Sequence, residues 1–179
     1  RLYQLLVAAG HQVDFVGTRR IPTALGGDED VDGNPGAYIG PAGNANNLWD
    51  RLDSMLPAQI QPDVIVLAFG WNSVYNEPEQ AAWKYRGFVL RISSMRPSAR
   101  LVVATLSPRK DESEAQSNAA VRGYRMFNTM ARQLASASTQ DNVYLADLAA
   151  APFAPADYWD GIHWLQPGAD KAAQVIFQT

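Results

Sequence analysis

Asp63-Val64-Ile65-Val66-Leu67-Ala68-Phe69-Gly70 is the stretch that decides the fold. It is apolar without alternation, has the length of a strand rather than a helix, and ends on a turn-forming glycine. That pattern predicts a strand buried on both faces, as found in parallel sheets covered by helices on either side. Outward from it, Leu101–Leu106 (LVVATL) and Val143–Leu148 read as two further strands. Between them the apolar spacing turns helical. Glu79–Met95 is closed by Pro97, and Glu114–Ala137 forms a longer helix. Upstream, Asn44 is a candidate N-cap for a helix to Leu56, and residues 18–43 form a Gly-, Asp- and Pro-rich loop. His11–Gly17 (HQVDFVG) is expected as a strand, Leu2–Ala9 as an amphipathic helix, and Gly168–Phe177 as the closing helix. Strands alternating with helices imply a parallel sheet in an α/β domain spanning residues 1–179, with ligands bound beyond the carboxyl ends of the strands.

Composition bounds the function. The 179 residues are 47% hydrophobic and 18% charged, and the formal net charge is -3. An ordinary globular core is expected. The charge balance and the lack of a Lys/Arg run speak against a nucleic-acid partner. The pairs Arg19-Arg20 and Arg109-Lys110 read as loop solubility. With no cysteine, a thiolate metal site, a disulfide framework and a cysteine nucleophile are all excluded. No apolar run is long enough to span a bilayer. The chain opens on Arg1 with a helix that no strand precedes, so the N-terminus is expected to be incomplete.

Three segments carry chemistry, each at the edge where strands end. In Asp160-Gly161-Ile162-His163 the carboxylate can bond His163 Nδ1, which leaves Nε2 as a general base. The alternative is a turn capped by Asp160 beside a packed histidine. The spacing and the helix that follows favour catalysis. In Phe69-Gly70-Trp71-Asn72, Asn72 can aim its amide at a developing oxyanion, although Gly and Asn equally suit a plain turn. In Gly33-Asn34-Pro35-Gly36, the Gly36 N–H is a candidate second donor, against a simple loop. Tyr158, Trp159, Trp164 and Trp71 crowd the same edge, either as a platform for a sugar or acyl group or as core. Asp28, Asp30 and Asp32 imitate the opening of a calcium loop, but position twelve is Ile39, so solvated acids are expected and no metal. Ser107 is followed by Pro108 and does not sit on a strand-to-helix turn.

Together these segments resemble the SGNH (GDSL) hydrolase superfamily. Gly36 matches its second block, Gly70-Trp71-Asn72 its third, and Asp160 with His163 its fourth. The acetyl xylan esterase branch, carbohydrate esterase family three, is the most similar. Gly10–Gly17 looks like that branch's Gly-His-x-Val-Asp-Phe-Val-Gly strand, and Gly33–Gly36 like its Gly-x-Pro-Gly. The resemblance implies a flavodoxin-like three-layer α/β/α fold whose first strand is missing from this chain. It also implies a serine ester hydrolase that removes short acyl groups, such as acetyl on polysaccharide, without a cofactor and in an extracellular setting. The Gly-Asp-Ser block that would carry the nucleophile is absent, so the serine is expected upstream of residue 1. Ser73 replaces the family's second Asp and is expected to loosen the loop around Asn72. Ala37 and Trp164 are further departures. The rival reading is a non-catalytic carbohydrate- or partner-binding protein on the same scaffold. A phosphate or flavin binder is disfavoured, because Gly26-Gly27 is followed by acids.

Overall fold

The structure is a computed structural model that describes residues 1–20, 27–40, 46–110, 118–136 and 142–179. In chain order the elements are helix α1 (Leu2–Ala8), strands β1 (Arg19–Arg20) and β2 (Asp30–Val31), helix α2 (Leu48–Met55), strand β3 (Val64–Leu67), helices α3 (Trp71–Asn76) and α4 (Pro78–Met95), strand β4 (Arg100–Ala104), helix α5 (Asn118–Ser136), strand β5 (Val143–Ala146) and helix α6 (Gln166–Gln178). Strands β3, β4 and β5 form a parallel sheet in that order, with Ile65 opposite Leu101 and Val102 opposite Tyr144. The predicted parallel α/β architecture is therefore present.

β4 is the strand buried on both faces. Leu101 and Val103 enter a core with Tyr85, Phe88 and Ile92 of α4 and Phe127 and Leu134 of α5. Val102 and Ala104 point the other way, toward Ala146, Leu148 and Ala172 of α6. The period of two along the strand thus feeds two hydrophobic layers. Helix α4 begins on Pro78, whose missing N–H costs nothing in a first turn, and it ends beside Pro97. Buried Arg96 bonds the carbonyls of Ile60, Leu56 and Pro57, tying the end of α4 to the segment before β3.

Three expectations need correcting. β3 is not buried on both faces: Val64 and Val66 are 50% and 38% exposed, while Leu67 is buried and Ile65 packs on the main core. One edge of β3 pairs with β4, and no described strand takes the other edge. The apolar run is therefore that of a strand whose outer side lacks cover. His11–Gly17 forms no strand either. It is held by side chains: the Phe15 N–H donates to Asp28 (2.7 Å) and the Thr18 N–H to Asp32 (3.1 Å). The ladder nearby is the short antiparallel ribbon that pairs Arg19 with Val31. Third, Asn47 caps α2, its Oδ1 accepting from the Asp50 N–H at 2.8 Å, whereas Asn44 lies outside the described residues.

The loop after β4 is fixed by a buried amide. Asn128 of α5 accepts from the Leu106 N–H (2.8 Å) and donates to the Leu106 carbonyl (3.3 Å). Replacing it strands two buried backbone groups. Asn128→Ala is expected to lower unfolding stability by about 2–6 kcal/mol, at roughly 1–3 kcal/mol per unmade buried bond. Urea denaturation checks this, with a fall in midpoint at constant slope as the expected result.

Candidate active site

The site lies beyond the carboxyl ends of the three parallel strands. Its firmest part is the 158–164 turn. Tyr158 and Trp164 form an antiparallel bridge, and the Trp159 N–H donates to the His163 carbonyl (2.9 Å). Inside that turn Asp160 uses both carboxylate oxygens. Oδ1 accepts from the Ile162 and His163 N–H groups, each at 2.8 Å, and Oδ2 lies 2.7 Å from His163 Nδ1. With the proton on Nδ1, Nε2 is the basic nitrogen. The imidazole is 68% exposed, so Nε2 is open to a ligand. Two backbone donors and the imidazole pull the Asp160 carboxyl down to about 2 from its ordinary value of 3.8.

The turn is clamped to the loop after β4. Tyr158 Oη donates to the Pro108 carbonyl (2.5 Å), Trp164 Nε1 to Ser107 Oγ (3.1 Å), and the Lys110 N–H to the Gly161 carbonyl (3.0 Å). Tyr158 is buried, Trp164 is half-buried and stacks on Phe153, and Trp159 stands 73% exposed with its ring 6.3 Å from that of His163. Ser107 is buried and its oxygen accepts from Trp164, which places it in the clamp. Burial raises the phenol pKa of Tyr158.

The second part joins Gly36 and Asn72. Gly36 has φ +70°, which L side chains rarely adopt, and follows Pro35 as the turn reading required. Asn72 opens α3 directly after β3, and its Nδ2 donates to the Ala37 carbonyl (3.2 Å). A primary amide carries two hydrogens, so one remains for a ligand. Gly70, with φ +140°, lets this corner press on α5: a Cβ there would lie 2.5 Å from the Phe127 ring. Ser73 does not loosen the loop. Its buried hydroxyl accepts from the Ile39 N–H at 2.9 Å and ties the Gly36 loop to α3. Trp71 stacks on Tyr124 and leans on Tyr75, with Nε1 buried and without a partner among the described residues.

The acids at 28, 30 and 32 serve nearby backbone and side-chain groups. Asp28 accepts from the Asp30 and Phe15 N–H groups, which lower its pKa, Asp30 pairs with Arg20, and Asp32 binds Thr18. Among the described residues no cluster suited to a metal is present. Sequence reasoning missed Arg109. It is not a loop-surface residue: its guanidinium sits over Tyr75, 5.5 Å from the ring centroid, and against Gly161. Nothing local signals that contact, because Gly161 lies far along the chain.

The carboxyl shift has a consequence for acid titration. A folded-state pKa below the ordinary value means that the turn's carboxylate bonds are intact above 3.8 and lost as pH falls through about 2. The 13C carboxyl resonance of Asp160 should still be ionised at about pH 3 and move near pH 2. A midpoint near 3.8 would mean that the turn does not hold the carboxylate.

A search of curated proteins finds no match. Among solved structures the chain is similar to a Clostridium thermocellum family 3 carbohydrate esterase, with 26% identity and a TM-score of 0.79, covering 99% of this chain and 81% of that one. It shares its fold with an acetyl esterase solved with an acetate ion (18% identity, TM-score 0.75, 99% and 86% covered). It also shares it with a carbohydrate esterase family 3 protein from Talaromyces cellulolyticus (16% identity, TM-score 0.69, 99% and 86% covered). The GDSL-like lipase/acylhydrolase family matches residues 7–170. The exposed His163–Asp160 pair, the Gly36–Asn72 corner and this match agree, and the chain belongs to the GDSL-like lipase/acylhydrolase family of carboxylic ester hydrolases.

Proposed function

We propose that this protein removes short acyl groups, chiefly acetyl, from an acylated polysaccharide by serine acyl transfer, in an extracellular setting. The observation that carries the reading is the His163–Asp160 pair, ordered by three bonds to one carboxylate and open at Nε2. His163 takes the proton of the attacking serine and returns it to the leaving alcohol. Asp160 holds the tautomer and balances the imidazolium charge. Asn72 Nδ2 and the Gly36 N–H serve the oxyanion. Trp159 offers an exposed ring beside His163 for a sugar face, and Trp71, Tyr158 and Trp164 shape the wall behind it. No metal or organic cofactor takes part in this scheme.

The nucleophile is assigned to a serine outside residues 1–179. Ser107 and Ser73 are buried, with their oxygens already accepting hydrogen bonds. On this reading a serine-bearing strand would pair with the edge of β3 that no described strand takes.

A fluorophosphonate probe tests the reading on the full-length protein. One covalent adduct is expected, mapping outside residues 1–179, together with hydrolysis of 4-nitrophenyl acetate. His163→Ala should lower both by at least about a thousandfold, the scale of losing a triad member. Glycan binding that survives this substitution, with no adduct and no turnover in the unsubstituted protein, would favour a binding protein on the same scaffold.

A further inference from the structure

Arg109 is held in place without an acceptor among the described residues. Other arginines find one: Arg91 bonds Asp53 and the Trp49 carbonyl, Arg96 several carbonyls, Arg122 Glu79, and Arg132 Asp147. For Arg109 no acceptor is recorded among the described residues, and its Nε is buried without a partner. Its position is nevertheless defined. The guanidinium lies over the Tyr75 ring at 5.5 Å, and a Cβ built on Gly161 would stand 3.2 Å from Nη2. The neighbouring backbone is anchored to the same loop through the Lys110 N–H and the Gly161 carbonyl. Trp71 leans on the same Tyr75 ring at 5.5 Å, with its Nε1 also buried and without a partner among the described residues.

Two N–H donors without acceptors beside one aromatic ring are costly unless a ligand or water satisfies them. A planar guanidinium fork matches a carboxylate, and a face-packed guanidinium has little rotamer freedom left to lose on binding. The charge is local, because the chain as a whole carries -3. Position selects the part of the substrate. Arg109 touches Gly161, two residues before His163, and in acyl transfer the histidine hands its proton to the leaving alcohol. The group that meets Arg109 is therefore on the alcohol side of the ester.

We propose that Arg109 is a specificity-determining residue that binds a carboxylate on the leaving alcohol, as in an acetylated uronic acid, with Trp71 Nε1 as a second donor. This rests on the esterase reading above. It implies a preference for acidic over neutral acetylated sugars.

The test uses the full-length protein and two readouts. The first compares kcat/KM for an acetylated methyl galacturonoside with that for its neutral C6 methyl ester. The free acid should be preferred at least tenfold. Arg109→Gln should remove the preference and Arg109→Lys should retain part of it. A 4-nitrophenyl hydrogen succinate arm checks the acyl side, where no preference over the acetate is expected. The second readout is the 15N–1H resonance of Arg109 Nε in the unsubstituted protein. It should shift on titration with methyl galacturonoside and stay still with methyl galactoside. An unmoved Nε resonance, or an acid preference that survives Arg109→Gln, overturns the proposal. Hydrolysis of neither ester, with the Nε shift intact, would overturn the esterase reading and leave the carboxylate site standing.

Discussion

The two-sided burial of β4 is the constraint on which the rest depends. Leu101 and Val103 serve the layer of α4 and α5, and Val102 and Ala104 serve the layer of α6. A strand that must satisfy two cores has no freedom of register, since a slip of one residue would exchange its faces. The loop beginning at Thr105 therefore leaves the sheet at a fixed place. That loop receives Tyr158, Trp164 and the Gly161 carbonyl, so the Asp160–His163 turn inherits its position from β4.

The site is assembled by small polar clamps between otherwise separate segments. Ser73 bonds Ile39, Asn72 bonds Ala37, and Asn128 bonds Leu106, each joining groups more than twenty residues apart. Clamps of this kind would hold the proposed general base and oxyanion donors to the tolerance that acyl transfer needs, without placing them in the apolar core. Ser73 shows why a family departure has to be read in three dimensions. A hydroxyl in place of a carboxylate still accepts from a backbone N–H, and at full burial it does so without an uncompensated charge.

Much of the fold was legible because it rests on local patterns. The apolar runs at 63–70, 101–106 and 143–148, the helix closed by Pro97 and the helical spacing of α6 are visible along the chain, and the strands recur at Val64–Leu67, Arg100–Ala104 and Val143–Ala146. The Asp160–His163 contact was legible for the same reason: three residues separate the partners, and the turn closes on its own backbone. The exposure of Val64 and Val66 was not legible, because residue type does not reveal whether a neighbouring element covers a strand. Nor was the lack of a ladder at His11–Gly17, where strand character needs an adjacent partner.

The sequence by itself determined the strand–helix alternation, the parallel α/β class and the Asp160–His163 contact, since each is encoded within a few residues. Only the tertiary structure decided that Trp71 is packed against Tyr124 while Trp159 is exposed, that Ser107 belongs to a clamp, and that Arg109 faces the Asp160–His163 turn. The physical reason is separation along the chain. A side chain's burial and hydrogen-bond partners are set by what the fold brings beside it, and for these residues the partners come from other elements.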